Sequence, residues 1–264
     1  MSGEAGMPAG DAPSGAGAVP PSVGAEAAAG DGATDGAGRR VLVVATRSRH
    51  KLGELRDLLD LPHTRLLSLD DIGVIDEAPE DGATFDENAT FKARFYAERT
   101  GLPTLADDSG LEVDALGGRP GVHTRRYAGP DATDEENNVK LLGALEGLPP
   151  DRRTARYRCV LALVDPGADG EASGSQRGEA AGRTARASAA EPVPVVVRRG
   201  TFEGRIAQGP RGTNGFGYDP IFEPAWEEPG GRTVGLYAAE EKNRVSHRAA
   251  AAREMRRVLV DRGF

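Results

Sequence analysis

Cysteines, basic clusters and long apolar runs are what this chain of 264 residues has least of, and each shortage removes a class of protein. One cysteine, Cys159, excludes an internal disulfide, and no second Cys or His stands at zinc spacing from it. Its setting, Arg158-Cys159-Val160-Leu161-Ala162-Leu163-Val164, reads as a buried strand in which the thiol packs as a small apolar group rather than acting as a nucleophile. No stretch approaches the ~20 apolar residues that span a bilayer, and the N-terminus lacks a basic region followed by an apolar run. A cytoplasmic protein with no membrane partner is the expectation. The net charge is −8 with no run of Lys and Arg, which argues against a protein that neutralises nucleic-acid phosphates with clustered cations. Small phosphorylated ligands are not excluded.

The acidity is uneven. Residues 1–38 hold Glu4, Asp11, Glu26, Asp31 and Asp35 and no Lys or Arg, so the body is only mildly acidic. This Gly, Ala, Pro and Ser-rich tail has too little apolar surface to offset its ordering entropy and is expected to be disordered. A similar stretch, 167–192, is expected to be a disordered insertion between two strands, because so long a structureless loop is unusual inside a compact domain. One domain, 39–264, remains.

That body opens with Val41-Leu42-Val43-Val44-Ala45, an apolar run typical of a strand buried on both faces. After Thr46-Arg47-Ser48-Arg49-His50-Lys51, Leu52, Leu55, Leu58 and Leu59 recur at helical spacing. A helix start with Lys51 beside it suits an anion, yet the P-loop pattern is missing, and taken alone the stretch is better read as a plain solvated helix start. An acidic loop with Glu80 and Asp81 then runs into a helix whose Thr84 and Glu87 have capping-box spacing, and Gly101-Leu102-Pro103 stops it.

Leu105-Ala106-Asp107-Asp108-Ser109-Gly110 follows, read as the end of a strand. Adjacent carboxylates repel unless a cation offsets them, and Mg²⁺ prefers one or two carboxylates plus phosphate oxygens. A turn made by Asp, Ser and Gly explains the same residues. Consecutive strand residues point to opposite faces, so one Asp can face a site and the other its support, unless Ser109-Gly110 breaks the strand. Strands are expected over 154–164 and 193–206. Gly215-Phe216-Gly217-Tyr218-Asp219 suits a loop that lays a planar ligand on a ring, or a hairpin whose aromatics fill the core. Finally, Ser246 can cap a last helix, with Lys242, His247 and Arg248 around its start.

Taken in order, Thr46 to Lys51, Phe85-Asp86-Glu87-Asn88-Ala89, Ala106-Asp107-Asp108-Ser109-Gly110-Leu111, Gly215 to Phe222 and Ser246-His247-Arg248 resemble the non-canonical purine nucleoside-triphosphate pyrophosphatases, the inosine/xanthosine triphosphatase family. The resemblance covers about Val41 to Leu259. It implies an elongated α/β protein whose mixed sheet forms two lobes around a central nucleotide cleft, with helices packed on the sheet, and a homodimer. It implies Mg²⁺-dependent hydrolysis of ITP, dITP or XTP to the monophosphate and pyrophosphate. Carried over by position, Asp108 is the general base, and Glu80 and Asp108 hold the metal, with Asp107 a further metal candidate and Asp81 a rival to Glu80. Thr46, Arg47, Ser48, Arg49, His50 and Lys51 form the phosphate loop. Ser109, Phe216, Gly217, Tyr218, Asp219, Lys242, His247 and Arg248 are further substrate contacts. The first loop departs from the family's habit, with Arg47 where a small residue is usual and Ser48 where Asn is usual. Two other readings fit parts of the pattern: a pyrophosphatase for a modified pyrimidine nucleotide, and a nucleotide-binding module without turnover. The retained Asp pair counts against the second, since a binder has no use for a base beside its metal.

Overall fold

The computed structural model describes residues 34–168 and 193–264. Most of the two stretches expected to be disordered, 1–33 and 169–192, lies outside the described residues. Their inner edges are ordered, which moves the expected boundaries. Thr34 bridges Arg40, and the buried Asp35 carboxylate accepts from the backbone N–H groups of Ala37 and Arg39 and from Arg39 Nε, at 2.9 to 3.0 Å. At the other stretch, the Gly167 N–H donates to Asp165 Oδ1 at 3.2 Å.

Six strands form one mixed sheet in the order β2-β1-β3-β4-β5-β6, where β1 is Arg40–Ala45, β2 Thr64–Ser68, β3 Thr104–Val113, β4 Thr154–Val164, β5 Val195–Ile206 and β6 Phe222–Pro224. β1 runs parallel to β2 and β3, and the pairs from β3 to β6 are antiparallel. The parallel part carries helices on both faces, which is why β1 is apolar and buried from Val41 to Ala45. The expected mixed α/β fold is observed.

Helix α1 (Arg49–Leu59) starts at Ser48, whose hydroxyl accepts the Lys51 N–H. Helix α2 (Phe85–Thr100) carries the capping box read from Thr84 and Glu87, and a second such box at Thr133 and Glu136 opens α3 (Asp134–Ala144). The last two helices, α4 (Ala239–Val245) and α5 (His247–Asp261), meet at Ser246, which caps α5 through the Ala249 N–H. Helices α1 and α5 cover one sheet face, burying Leu42, Leu55, Leu105, Leu161 and Met255 together. Helix α2 covers the other, where Ala89, Ala93 and Ala97 allow close packing on Val43, Ala106 and Ala162. A third core, built on Leu111, Tyr157, Phe202 and Phe222, sits at the far ends of the long strands and makes a second lobe.

One expectation about the Asp pair is corrected. β3 does not end there, and Ser109-Gly110 does not break it: β4 pairs with every β3 residue, including Asp107 with Leu161, Asp108 with Val160 and Gly110 with Arg158. The unbroken pairing with β4 keeps β3 extended through this stretch. Alternation therefore holds, so Asp107 faces α1 and α5 while Asp108 faces α2.

Candidate active site

On the α2 side, Asp108 meets a lysine that motif reading passed over. Lys92 Nζ lies 3.1 Å from Asp108 Oδ1, 2.9 Å from Glu80 Oε1 and 3.1 Å from the Asp107 carbonyl oxygen. The signal was present in the helix period: Lys92 falls on the inward face with Asn88, Ala89 and Ala93, where an ammonium group needs carboxylates. Burial alone would lower its pKa, but the charges of Asp108 and Glu80 outweigh burial and raise it. Glu80 is also approached by Arg126 at 3.8 Å. Burial favours the neutral acid there, yet Lys92 keeps the Glu80 carboxyl below its ordinary range.

Asp108 behaves in the opposite way: burial raises its pKa in spite of Lys92 and Lys51. Its second oxygen, Oδ2, is buried and has no hydrogen-bond partner. An orphaned carboxylate oxygen next to a second carboxylate fits a hard divalent cation that would complete its shell with phosphate oxygens and water. Among the described residues there is no group of three or more His, Cys, Asp or Glu able to hold a metal, and Glu80 and Asp108, which share Lys92, are a pair of carboxylates that could hold one. The rival Asp81 lies elsewhere, in a groove of about 660 Å³ lined by Asp86, Glu87, Phe91 and Arg94.

Asp107, the further metal candidate, is spoken for on the opposite face. Its Oδ1 is 2.6 Å from Lys51 Nζ and accepts from Ser109 Oγ at 2.9 Å, and its Oδ2 accepts from Arg248 Nε at 2.8 Å and from Cys159 Sγ at 3.4 Å. Burial would raise its pKa, but Arg248 and Lys51 hold the carboxyl well below the usual range. Both Asp107 oxygens are thus engaged by cations and donors, unlike Asp108 Oδ2. Arg248 extends the network to Ser109 Oγ at 2.9 Å and to Glu54, which sequence reading also missed. Lys242 Nζ joins Glu54 at 2.8 Å and Asp219 at 2.7 Å. The start of α5 reaches this point because β5 offers Gly200 beneath it, where a Cβ would come within 2.0 Å of the His247 carbonyl oxygen.

The Gly-aromatic loop divides in two. Gly215 adopts φ +76°, and a Cβ there would sit 2.0 Å from Asp219 Oδ2. Asp219 is buried and holds the loop shut, accepting from the Phe216 N–H at 3.0 Å and from Tyr157 OH at 3.1 Å. Tyr218 is a core residue whose hydroxyl donates to the Thr124 carbonyl at 2.8 Å, and the Gly217 N–H is taken by Asp134 at 2.6 Å. Of the four residues expected to touch substrate, Phe216 alone keeps its side chain available. The others shape the loop that presents it.

The phosphate loop also divides. Thr46 Oγ1 accepts the Ser48 N–H at 3.1 Å and Ser48 caps α1, so both order the turn. The Arg47 guanidinium is engaged by protein groups: it donates to the carbonyls of Val74, Ile75 and Asp76 at 2.9 to 3.0 Å and pairs with Asp70 at 3.2 Å. A planar five-donor group facing three carbonyls is satisfied where it is. Arg49 and His50 are exposed at the first turn of α1.

His247 is buried and stacks on Tyr157, with ring centroids 4.7 Å apart, and its Nδ1 has no partner. Burial, then the charges of Arg248 and Lys242, press its pKa well below the ordinary value. The folded chain thus refuses a proton that the unfolded chain accepts below about pH 6.5, so folding weakens as pH falls through that value. One such group accounts for at most ~1.4 kcal/mol per pH unit. Urea unfolding at about pH 7 and 5.5 is expected to show this loss, and His247→Asn is expected to flatten it. An equal loss in the variant would assign the effect to other groups. Asp107 works in a separate window, since its stabilisation is complete above about pH 4 and is lost only at more acid pH.

Fold and site together define an α/β protein with a carboxylate–lysine centre on one sheet face and an ion-pair network behind it. Residues 42–258 match the sequence model of the Ham1 family, and the chain belongs to that family. It is 45% identical over 217 residues to a dITP/XTP pyrophosphatase of Syntrophobacter fumaroxidans, covering 82% of this chain and 81% of the relative. It is 47% identical over 215 residues to the dITP/XTP pyrophosphatase of Geobacter sulfurreducens, covering 80% and 92%. Among solved structures, a HAM1 protein from Coxiella burnetii superposes with a TM-score of 0.67 at 37% identity, covering 84% of this chain and 98% of that one.

Proposed function

We propose that this chain, a nucleoside-triphosphate pyrophosphatase, hydrolyses dITP, XTP and ITP to the monophosphate and pyrophosphate with Mg²⁺, removing these bases from the nucleotide pool. Residues 39–264 form the catalytic unit, and the family resemblance supports a cytoplasmic homodimer. The observation that carries the reading is the buried, unpartnered Asp108 Oδ2 beside Lys92 and Glu80. A bound Mg²⁺ would be held by Glu80 and Asp108 and would supply charge neutralisation on the triphosphate.

The chain's own residues supply the rest. Asp108 takes the proton of the water that attacks the α-phosphorus, and a pKa raised by burial makes it a better base than an ordinary carboxylate near neutral pH. Lys92 keeps Glu80 and Asp108 apart in charge and fixed in place. Lys51, with the free N–H groups at the start of α1, faces the departing pyrophosphate. Preference for a 6-oxo purine over adenine follows if the His247-Arg248 segment donates to the purine edge. Arg248 gives one N–H from each guanidinium nitrogen to Asp107, Glu54 and Ser109, so the donors left in this segment are its two remaining N–H bonds and the unpartnered His247 Nδ1 in its protonated tautomer.

Turnover with Mg²⁺ on dITP, XTP, ITP, ATP, GTP and dUTP, resolving pyrophosphate from orthophosphate, tests this reading. Pyrophosphate released from dITP, XTP and ITP well ahead of ATP is expected. Orthophosphate alone would refute attack at the α-phosphorus, and equal rates on ATP or dUTP would remove the assigned selectivity.

A further inference from the structure

The Phe216 ring, the side chain that the Gly-aromatic loop leaves available, is not bare. The His50 imidazole, one residue into α1, stacks on it with centroids 5.3 Å apart and planes 21° from parallel. Lys242 Nζ stands 4.3 Å from the same ring centroid and the Arg248 guanidinium carbon 5.8 Å. These last two are anchored by Glu54, Asp219 and Asp107, and they are buried. His50 is different: it is exposed, and the flat face it turns to Phe216 is the contact that marks its position.

The two rings come from different parts of the chain, His50 from the α1 start fixed by its Ser48 cap, Phe216 from the loop fixed by Asp219. Both backbones are thereby held, while the His50 side chain turns about two torsions and lies on the solvent side. Nearly parallel rings on separate supports can part by one ring thickness and admit a flat base between them, exchanging one stacked contact for two. A base on Phe216 alone would have to evict His50 and lose that contact.

We propose that His50 belongs to the base site rather than to the phosphate loop, forming the second ring of a sandwich in which the purine lies between His50 and Phe216. The proposal rests on the pyrophosphatase reading and deepens it, since a two-sided stack rewards the larger face of a purine over a pyrimidine. Stacking of this kind holds substrate and transition state equally, so its loss raises KM and leaves kcat nearly alone.

The test compares His50→Ala and His50→Phe with the unaltered protein on dITP, with inorganic tripolyphosphate as a competitive inhibitor that has phosphates and no base. For His50→Ala, a KM for dITP raised roughly tenfold is expected, within the range for losing one base–aromatic stack. The tripolyphosphate inhibition constant should stay the same, and His50→Phe should restore KM. A lowered KM in His50→Ala would show that His50 merely shields Phe216 and would overturn the proposal. So would an unchanged KM, or an equal shift for dITP and tripolyphosphate. Absence of dITP hydrolysis by the unaltered protein would sink the pyrophosphatase reading instead. The same variants then decide the stacking question through the Kd of dIMP, which must weaken in His50→Ala and recover in His50→Phe.

Discussion

Asp108→Asn is expected to lower kcat on dITP by about a thousandfold, the middle of the range for a lost general base. The carboxylate oxygen that the fold leaves unpartnered becomes an amide, unable to accept the proton of an attacking water or to serve a divalent cation. Folding should hardly suffer. Burial already disfavours the charged form of Asp108, and Lys92 keeps Glu80 and the Asp107 carbonyl as partners when Asp108 is neutralised. Steady-state kinetics alongside thermal unfolding checks both halves. A variant that kept near-normal kcat would show that the base is another group.

The neighbouring substitution should fail in the reverse order. Asp107→Asn is expected to cost about 3–5 kcal/mol of folding free energy, the usual result of removing one partner from a buried ion pair. Asp107 is fully buried and answers two cations, Lys51 and the almost wholly buried Arg248. An amide leaves both facing a neutral group, with Glu54 as the remaining carboxylate for Arg248. Urea unfolding would measure the loss, and a change below about 1 kcal/mol would mean that the network repacks around the amide. If both results are found, two identical residues side by side divide the work: substitution of one spares the fold and stops the chemistry, and substitution of the other does the reverse.

Much of this was legible in the residues. The apolar β1 run, the Thr84 capping box and the Ser246 cap depend on spacing within a few residues, and all appear as read. The split of the Asp pair followed from strand alternation, once β4 was seen to carry the ladder past Ser109. Partnerships across long separations were not legible. Lys92 and Glu54 sit on helices whose sequence shows their face but not what that face meets. Tyr218 and Asp219 resemble ligand contacts because Gly, aromatic and acidic residues compose both kinds of loop. Their commitment to Thr124, Tyr157 and Lys242 depends on elements distant in sequence, one of them a strand and one a helix.

The guanidinium of Arg47 has a consequence for Glu80, the proposed cation ligand. It holds the chain at Val74 to Asp76, and six residues after Asp76 the Gly82 N–H is fastened to the Asn88 side chain at the start of α2. Glu80 therefore hangs on a short span tethered at both ends, and the entropy of bringing it to Asp108 is spent during folding rather than when a cation arrives. An arginine in what looks like a phosphate loop thus sets the readiness of a carboxylate more than thirty residues away. Change at that position should register first as cation affinity, with nucleotide affinity following behind.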